Sequence, residues 1–188
     1  MMSRESHNLR PRAPHKLPCH PTKAILPING ICGGVPSRAV RFRPCLSKEM
    51  ISGGQTGVDG GALDAALTAN FPCGGWCPEG SQAEDGPIRD RYPVTELPGA
   101  DYLKRTRQNV IESDATLVTH FAVLTGGTLM TVQFSERFQK PVLVLDGGKL
   151  DPDTAASRAA VFVRSHAIRT LNEAGPRESG HAGAGAYA

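Results

Sequence analysis

From Lys48 onward, short apolar segments alternate with segments of helical periodicity, and this alternation constrains the fold more than any other feature. The predicted strands are Glu49–Ser52, Phe71–Trp76, Ala115–Phe121, Pro141–Asp146 and Ala167–Leu171, and the predicted helices are Val58–Asn70, Ala100–Ser113, 125–139 and Thr154–Ser165. Such alternation is typical of right-handed βαβ units around a parallel sheet. We therefore predict a Rossmann-like three-layer α/β domain with a mainly parallel sheet over residues 48–180. The apolar run Pro141–Asp146 predicts a strand buried on both faces.

The first 47 residues differ from the rest of the chain. They contain seven prolines and no sustained periodicity, which predicts a disordered leader. Residues 1–48 carry nine Lys or Arg and one acid, whereas the remainder carries 12 basic and 17 acidic residues. Three interpretations stay open: an organelle transit peptide, a nucleic-acid-binding arm, and a translation start at or just before Met50. We favour the third, because the first predicted strand begins there. At the other end, the small residues of 181–188 predict a flexible tail.

Composition argues against several classes of protein. The acidic body has no basic stripe, so binding of nucleic acid by it is not expected. No apolar run approaches the ~20 residues that span a membrane. The five cysteines lack the spacing of a four-ligand zinc site or a disulfide framework. We therefore expect no metal site of this chain's own, reduced thiols and a cytoplasmic location.

A glycine-rich loop, Gly53-Gly54-Gln55-Thr56-Gly57, lies between the first strand and the first helix. Glycines allow close backbone approach to a ligand, and the following helix offers unpaired N–H groups to an anion. Asp59, in the first turn of that helix, is stabilised by the helix dipole. The alternative is a tight βα turn that merely needs glycine. The spacing matches neither G-x-G-x-x-G nor the P-loop.

Two further loops follow predicted strands. In Thr125-Gly126-Gly127-Thr128, Thr125 is a candidate helix cap, and the hydroxyls of Thr128 and Thr131 are candidates for phosphate contacts. The third loop carries Gly175, Arg177, Glu178 and Ser179. Arg177 could bind phosphate bidentately or pair with an acid at the surface. Because ligands bind at the carboxyl ends of parallel strands, we expect these loops to surround one phosphate group.

Three acids are candidates for catalysis. Glu84 and Asp85 lie in the stretch Cys77–Pro98, which is too long for a plain connection and therefore suggests a functional loop. Asp114 precedes a strand and could equally close a turn. His120, which ends a strand near the same edge, is more often a structural residue in such a position. No nucleophile and base pair can be assigned from spacing.

Several short motifs occur in order between Lys48 and Ser179: Ile51–Leu63, Gly74–Pro78, Ala83–Ile88, Arg91–Pro93, Arg105-Thr106, Asn109-Val110, Ser113-Asp114, Leu124–Thr128 and Ala174–Ser179. Together they resemble the family known as the putative molybdenum carriers, a circularly permuted branch of the SLOG superfamily, whose relatives include the LOG phosphoribohydrolases and DprA. The resemblance implies a Rossmann-like fold that binds a nucleotide-derived ligand or a molybdenum cofactor. Relatives in this superfamily tend to pair, so a homo-oligomer stays open.

Two departures from the family pattern bear on function. Relatives often have an arginine after the first-motif aspartate, where this chain has Gly60. LOG-type enzymes carry a catalytic glutamate in a Gly-Gly-x-Gly-Thr-x-x-Glu motif, whereas no acid follows Thr128 within that turn. The leading hypothesis is therefore a carrier or sensor of a phosphate-bearing ligand. A nucleotide-processing hydrolase, either an N-glycosidase or a phosphohydrolase, is the alternative, and a DprA-like nucleic-acid protein is a third.

Overall fold

The computed structural model describes residues 47–188. The strands are β1 (Glu49–Ile51), β2 (Cys73–Gly74), β3 (Trp76–Cys77), β4 (Gln82–Ala83), β5 (Gly86–Pro87), β6 (Thr95–Glu96), β7 (Ala115–His120), β8 (Val142–Asp146) and β9 (Thr170–Ala174). The helices are α1 (Val58–Thr68), α2 (Tyr102–Glu112), α3 (Gly126–Arg137), α4 (Pro152–Ser165) and α5 (Ala184–Tyr187). Residues 1–46 of the predicted leader lie outside the described residues. None of the helices in 47–188 combines the length and the apolar character that crossing a membrane requires.

Five parallel strands form the central sheet in the order β2-β1-β9-β7-β8. The last strand in sequence, β9, is therefore the middle strand in space, where Leu171 pairs with Met50 of β1 on one side and with Ala115 of β7 on the other. All five carboxyl ends meet at one edge. The predicted Rossmann-like α/β fold with a parallel sheet is confirmed.

The core divides between the two ends of the sheet. Met50 packs with Ala62 and Leu63 of α1, while Leu117 and the partly buried Leu171 pack with Ala155 of α4. Since Met50 and Leu171 are neighbours in register, α1 and α4 cover the same face, and α2 packs on α3 on the other. This arrangement follows from the right-handed crossover rule. Helices whose connections run toward one edge of the sheet cover one face, and helices whose connections run toward the other edge cover the opposite face.

The middle strand begins three residues later than predicted. The segment Ala167–Leu171 was expected to be a strand, but Ile168 N–H still donates to Val163 O at 3.0 Å, closing the last turn of α4. Ala167 ends this turn in the left-handed region, with φ 53°. Alanine is a strong helix former and rarely marks such a position, so the sequence lacks a stop signal here. The shift places Ala174 at the end of β9, directly before the loop at Gly175.

The expectation that Pro141–Asp146 is buried on both faces is wrong. β8 is an edge strand, Val144 is 37% exposed, and Leu145 is the buried member of the strand. An apolar run of this length is compatible with an edge or a central strand, because its pattern does not record how many neighbours it has.

The predicted strand Phe71–Trp76 is divided by Gly75. Gly75 has φ 130°, and a Cβ atom there would overlap the backbone of Ser52. Before it, β2 joins the main sheet, and after it β3 pairs with β6 in a separate small sheet. The long loop that follows is itself structured, since β4 and β5 form a hairpin within it.

The segment 181–188, predicted to be a flexible tail, contains the short helix α5. Helix α5 packs against α1, Ala184 is fully buried, and Tyr187 Oη donates to Leu150 O at 2.8 Å. A Cβ atom at Gly61 of α1 would overlap the Gly185 carbonyl. The small residues of the tail therefore allow close backbone packing against α1.

Candidate functional site

A cleft of about 590 Å³ opens at the carboxyl edge of the sheet. It is bounded by the ends of β1 and β9, the first turn of α3 and one face of α2. Its lining residues are Gln55, Asp59, Tyr102, Leu103, Arg105, Thr106, Thr125, Gly126, Gly127, Thr128, Met130, Thr131, Ala174, Gly175, Pro176, Arg177, Ser179 and Gly180. Residues from all three predicted loops thus meet at one cleft, but the first loop contributes only Gln55, with Asp59 from the helix that follows it.

The glycines of the first loop accommodate other parts of the protein. A Cβ atom at Gly53 would overlap the guanidinium of Arg105. At Gly57, which has φ 71°, it would overlap the backbone of Pro176 and Arg177. Gly54, with φ 72°, lies against Ile88. These positions need glycine for close packing or positive φ. They therefore agree with the alternative interpretation of the loop as a tight βα turn.

Arg105 of α2 forms a buried ion pair with Asp59 of α1. Their Nη1 and Oδ2 atoms are 3.1 Å apart, and the two side chains are 10% and 6% exposed. Burial raises the pKa of Asp59, an effect that the adjacent positive charge of Arg105 opposes. Sequence reasoning noted Arg105 only as part of a motif. The signal that could have found it is a basic residue on the buried side of a helix.

The departure at Gly60 falls in a closely packed part of the protein. A Cβ atom built there would lie 3.1 Å from Gln55 O and 3.5 Å from Tyr92 Oη. That direction leads into the packed region around Tyr92, which is part of the core beside α1. In this chain the guanidinium beside Asp59 comes from Arg105.

Two buried donors on side chains of cleft-lining residues have no acceptor among the described residues. Gln55 Oε1 accepts from the N–H groups of Thr56 at 3.0 Å and Glu84 at 2.8 Å, which fixes the orientation of the amide. Gln55 Nε2 and Arg105 Nε are buried and unpaired. Because more than nine in ten buried polar groups are hydrogen-bonded, each unpaired donor needs an explanation.

The N-terminus of α3 faces the cleft. Thr125 is its N-cap residue, but its side chain makes no capping hydrogen bond. The first-turn N–H groups of Gly126, Gly127 and Thr128 therefore lack an intrahelical partner. Thr131, predicted to offer its hydroxyl to a ligand, donates it to Gly127 O at 2.9 Å.

Arg177 and Ser179 also border the cleft, whereas Glu178 does not. The Arg177 guanidinium lies 4.9 Å from the centre of the Tyr102 ring and forms no ion pair within residues 47–188. Glu178 accepts from the N–H groups of Gly183 and Gly185, and these hydrogen bonds lower its pKa. Glu178, a predicted ligand contact, therefore anchors the tail.

Glu84 lies at the turn of the β4–β5 hairpin and outside the cleft lining. Its carboxylate accepts from Thr56 Oγ1, from Ser179 Oγ and, at 3.1 Å, from Ser179 N–H. Burial acts to raise its pKa, but the hydrogen bonds from Ser179 and Thr56, with the charge of Arg177, hold the pKa below its ordinary value. An ionised carboxylate with its lone pairs engaged is poorly suited to donate a proton.

The other two candidate acids also lie away from the cleft lining. Asp85 is exposed at the tip of the same hairpin. Asp114 precedes β7, at the opposite edge of the sheet from the cleft. There its carboxylate accepts from the N–H groups of Arg169 at 2.8 Å and Thr170 at 2.9 Å. For Asp114 the structure therefore favours the turn-closing role over the catalytic one.

Glu173, which sequence reasoning missed, lies on the middle strand. It follows Leu171 by two residues, so its side chain is on the face covered by α1 and α4. Burial, with the negative charge of Asp59, raises its pKa to about 7. It does not line the cleft. In the part of the chain from 47 to 188, no three His, Cys, Asp or Glu side chains are arranged to hold a metal ion.

Comparison with known proteins agrees with this architecture. Residues 50–188 match the model of the circularly permutated YpsA SLOG family. The crystal structure of the putative molybdenum carrier protein from Syntrophus aciditrophicus SB, at 1.45 Å resolution, is 39% identical and superposes with a TM-score of 0.73. The similarity covers 76% of this chain and 90% of that one. No curated protein matches.

The family match spans most of the chain, including the three loops, α3 and the C-terminal helix. The resemblance inferred from the motifs between Lys48 and Ser179 is thereby confirmed. This chain belongs to the circularly permutated YpsA SLOG family.

Proposed function

We propose that the cleft binds a phosphate-bearing small molecule, derived from a nucleotide or of the molybdenum-cofactor type, and that the protein is a carrier or sensor of that ligand. The observation that carries the proposal is the pair of buried donors without acceptors, Gln55 Nε2 and Arg105 Nε. An unpaired buried donor costs about 1–3 kcal/mol. Phosphate oxygens entering the cleft would supply the acceptors after small side-chain adjustments.

The charges around the cleft favour an anion. Arg105 and Arg177 lie on two sides of it, and the N-terminus of α3 adds unpaired N–H groups and the positive end of a helix dipole. Asp59 is the one carboxylate among the described lining residues, and Arg105 neutralises it. The formal charge of the described lining residues is therefore net positive.

The same donor set suits the phosphate of a molybdenum cofactor. Guanidinium and backbone N–H groups bind phosphate oxygens without regard to the rest of the ligand. The relative from Syntrophus aciditrophicus is described as a putative molybdenum carrier. For this chain we propose phosphate recognition as the shared chemistry of both ligand classes.

Binding is a better proposal than hydrolysis. Cleavage of a glycosidic or phosphate bond by the candidate acids needs a carboxyl that is free to transfer a proton near the reacting atoms. Asp59 is paired with Arg105, Glu84 is engaged by Ser179 and Thr56, and no acid follows Thr128 in the first turn of α3. The cytoplasmic location and the homo-oligomer stay predictions.

Calorimetric titration of the full chain with inorganic phosphate and with ribose 5-phosphate tests the proposal. Arg177→Ala removes an exposed cleft side chain, and Arg158→Ala removes an exposed arginine on α4 as the matched control. Hydrogen bonds to charged groups contribute about 1.5–3 kcal/mol. We therefore expect Arg177→Ala to weaken binding roughly tenfold or more, and Arg158→Ala to bind as the parent does. Equal affinity in the two variants, or no binding to the parent, would overturn the proposal.

A further inference from the structure

A second, smaller cavity of about 140 Å³ opens beside the cleft. The two share Thr125, Thr128, Pro176 and Gly180, so they form one continuous depression. The remaining lining residues of the small cavity, which we term the ring pocket, are His120, Phe121, Ala122, Val123, Leu124 and His181. Cavities of about 150 Å³ are known to hold a single benzene ring. The ring pocket is therefore large enough for one small ring.

The chemistry of the ring pocket contrasts with that of the cleft. Among residues 47–188 its lining contains no Lys, Arg, Asp or Glu, whereas the cleft is lined by Arg105 and Arg177. The walls of the ring pocket instead include the aromatic side chains of His120, Phe121 and His181. A ligand that spans both would have one anionic end and one uncharged end.

The aromatic wall is held in place from several sides. The Phe121 ring stacks on His181, with centroids 3.9 Å apart and an interplanar angle of 6°, and meets the edge of Tyr187 at 5.1 Å. A Cβ atom at Gly147 would lie 2.5 Å from Phe121 Cε1, so the ring is also packed against the β8 loop. A flat, fixed wall of this kind suits a planar ring.

His120 supplies a directed acceptor. Its Nδ1 lies 2.7 Å from Ala122 O. Because a carbonyl oxygen only accepts, Nδ1 must carry the hydrogen, and in the neutral imidazole Nε2 is then left with its lone pair. Asp146, the register partner of His120, is occupied by Lys149 at 2.8 Å and by the N–H of Gly148. Nε2 therefore remains available to a ligand donor.

We propose that the ring pocket holds the nitrogen heterocycle of the ligand whose phosphate lies in the cleft, and that His120 Nε2 accepts a hydrogen bond from a ring N–H or amino group. The ligand class is thus a phosphate ester of a planar heterocycle that carries an N–H donor. This inference rests on the proposed phosphate binding in the cleft. A purine nucleotide and a pterin phosphate share this chemistry, and the ring pocket would take one ring of either fused pair.

Calorimetry on the full chain separates the two parts of the proposal. The probes are ribose 5-phosphate, adenosine 5′-monophosphate, guanosine 5′-monophosphate and a phosphorylated hydroxymethylpterin. Ribose 5-phosphate reports the cleft alone. We expect at least one heterocyclic ester to bind at least tenfold more tightly than ribose 5-phosphate. The ester that binds most tightly identifies the heterocycle as a purine or a pterin. If ribose 5-phosphate binds and no heterocycle adds affinity, the proposal for the ring pocket is overturned, while the proposed phosphate site is supported. If no ester binds, both are overturned.

Variants of His120 test the acceptor. His120→Leu should remove most of the heterocycle's advantage and leave ribose 5-phosphate unchanged. His120→Gln, which keeps an acceptor oxygen, should restore part of it. His166→Leu, an exposed histidine at the end of α4, is the matched control. An unchanged preference in His120→Leu would show that the ring does not bind through His120.

Discussion

The guanidinium of Arg105 lies directly over Gly53, at the distance where any Cβ atom would displace it. From that position it reaches Asp59 at 3.1 Å, while its Nε is buried and has no acceptor among residues 47–188. A glycine between the first strand and the first helix thus makes room for the cationic side chain of Arg105, which comes from α2. The first loop therefore shapes the proposed anion site through the position of Arg105.

Gly53→Ala should therefore displace Arg105. Overpacking in a well-packed region costs about 1–3 kcal/mol, and loss of the ion pair adds to it. We expect a lower urea midpoint together with weaker binding of ribose 5-phosphate. Gly127→Ala is the matched control for the urea midpoint alone, because a Cβ atom there meets nothing within 4 Å, while its place in the cleft lining excludes it as a control for binding. If both variants have the same urea midpoint as the parent, the Arg105 guanidinium does not lie against Gly53.

Glu173 should make stability fall as pH rises. Its folded pKa is raised to about 7 from 4.5, so between these values the folded state binds the proton more tightly than the unfolded state does. The stability is fully present below about pH 4.5 and is lost as pH rises through about 7, by up to about 3 kcal/mol. We expect Glu173→Gln to remove this loss, so that its advantage over the parent in urea unfolding is larger at pH 8 than at pH 5. Glu136→Gln, at an exposed position on α3, should show no such pH-dependent gain; the same result for both variants would contradict the assignment.

Glu84 should hold the β4–β5 hairpin against the loop at Ser179. Its carboxylate joins Thr56 and Ser179, so Glu84→Gln weakens three hydrogen bonds at once. We expect faster amide hydrogen exchange in residues 80–87 and 176–180. Because its folded pKa is lowered, the contribution of Glu84 is present above the ordinary glutamate pKa and is lost as pH falls through the folded value. Asp85→Asn, one residue away and exposed, should leave exchange unchanged, and equal effects of the two would count against the tether.

Gly61→Ala should lower the stability of the protein, although helix propensity alone predicts that it would raise it. Alanine in place of glycine inside a helix ordinarily stabilises it by about 1 kcal/mol. Here the added methyl group would overlap the Gly185 carbonyl of the packed tail. We expect a lower melting temperature and faster amide exchange in Ala184–Tyr187. A higher melting temperature would mean that α5 does not pack on α1 as described.

The family resemblance and the local sequence patterns were sufficient to predict the fold and the edge of the sheet at which the cleft lies. The loops at Gln55, Thr128 and Arg177 each follow a strand, and strands of a parallel sheet end at one edge, so their convergence could be inferred without coordinates. The role of Asp114 could not be decided in the same way. Its neighbours in sequence are compatible with a catalytic residue or with a turn, and only its contacts with Arg169 and Thr170 separate the two.

The sequence by itself determined the order of strands and helices, the parallel sheet, the family and the three loops, because each depends on residues close together in the chain. Tertiary structure decided which side chains those loops serve. The placement of Arg105 over Gly53, the packing of α5 on Gly61 and the position of Glu173 on the middle strand near Asp59 all join segments far apart in sequence. Hydrophobic periodicity and glycine spacing describe one segment at a time, so contacts between segments, and the electrostatics they create, arise only when the chain folds.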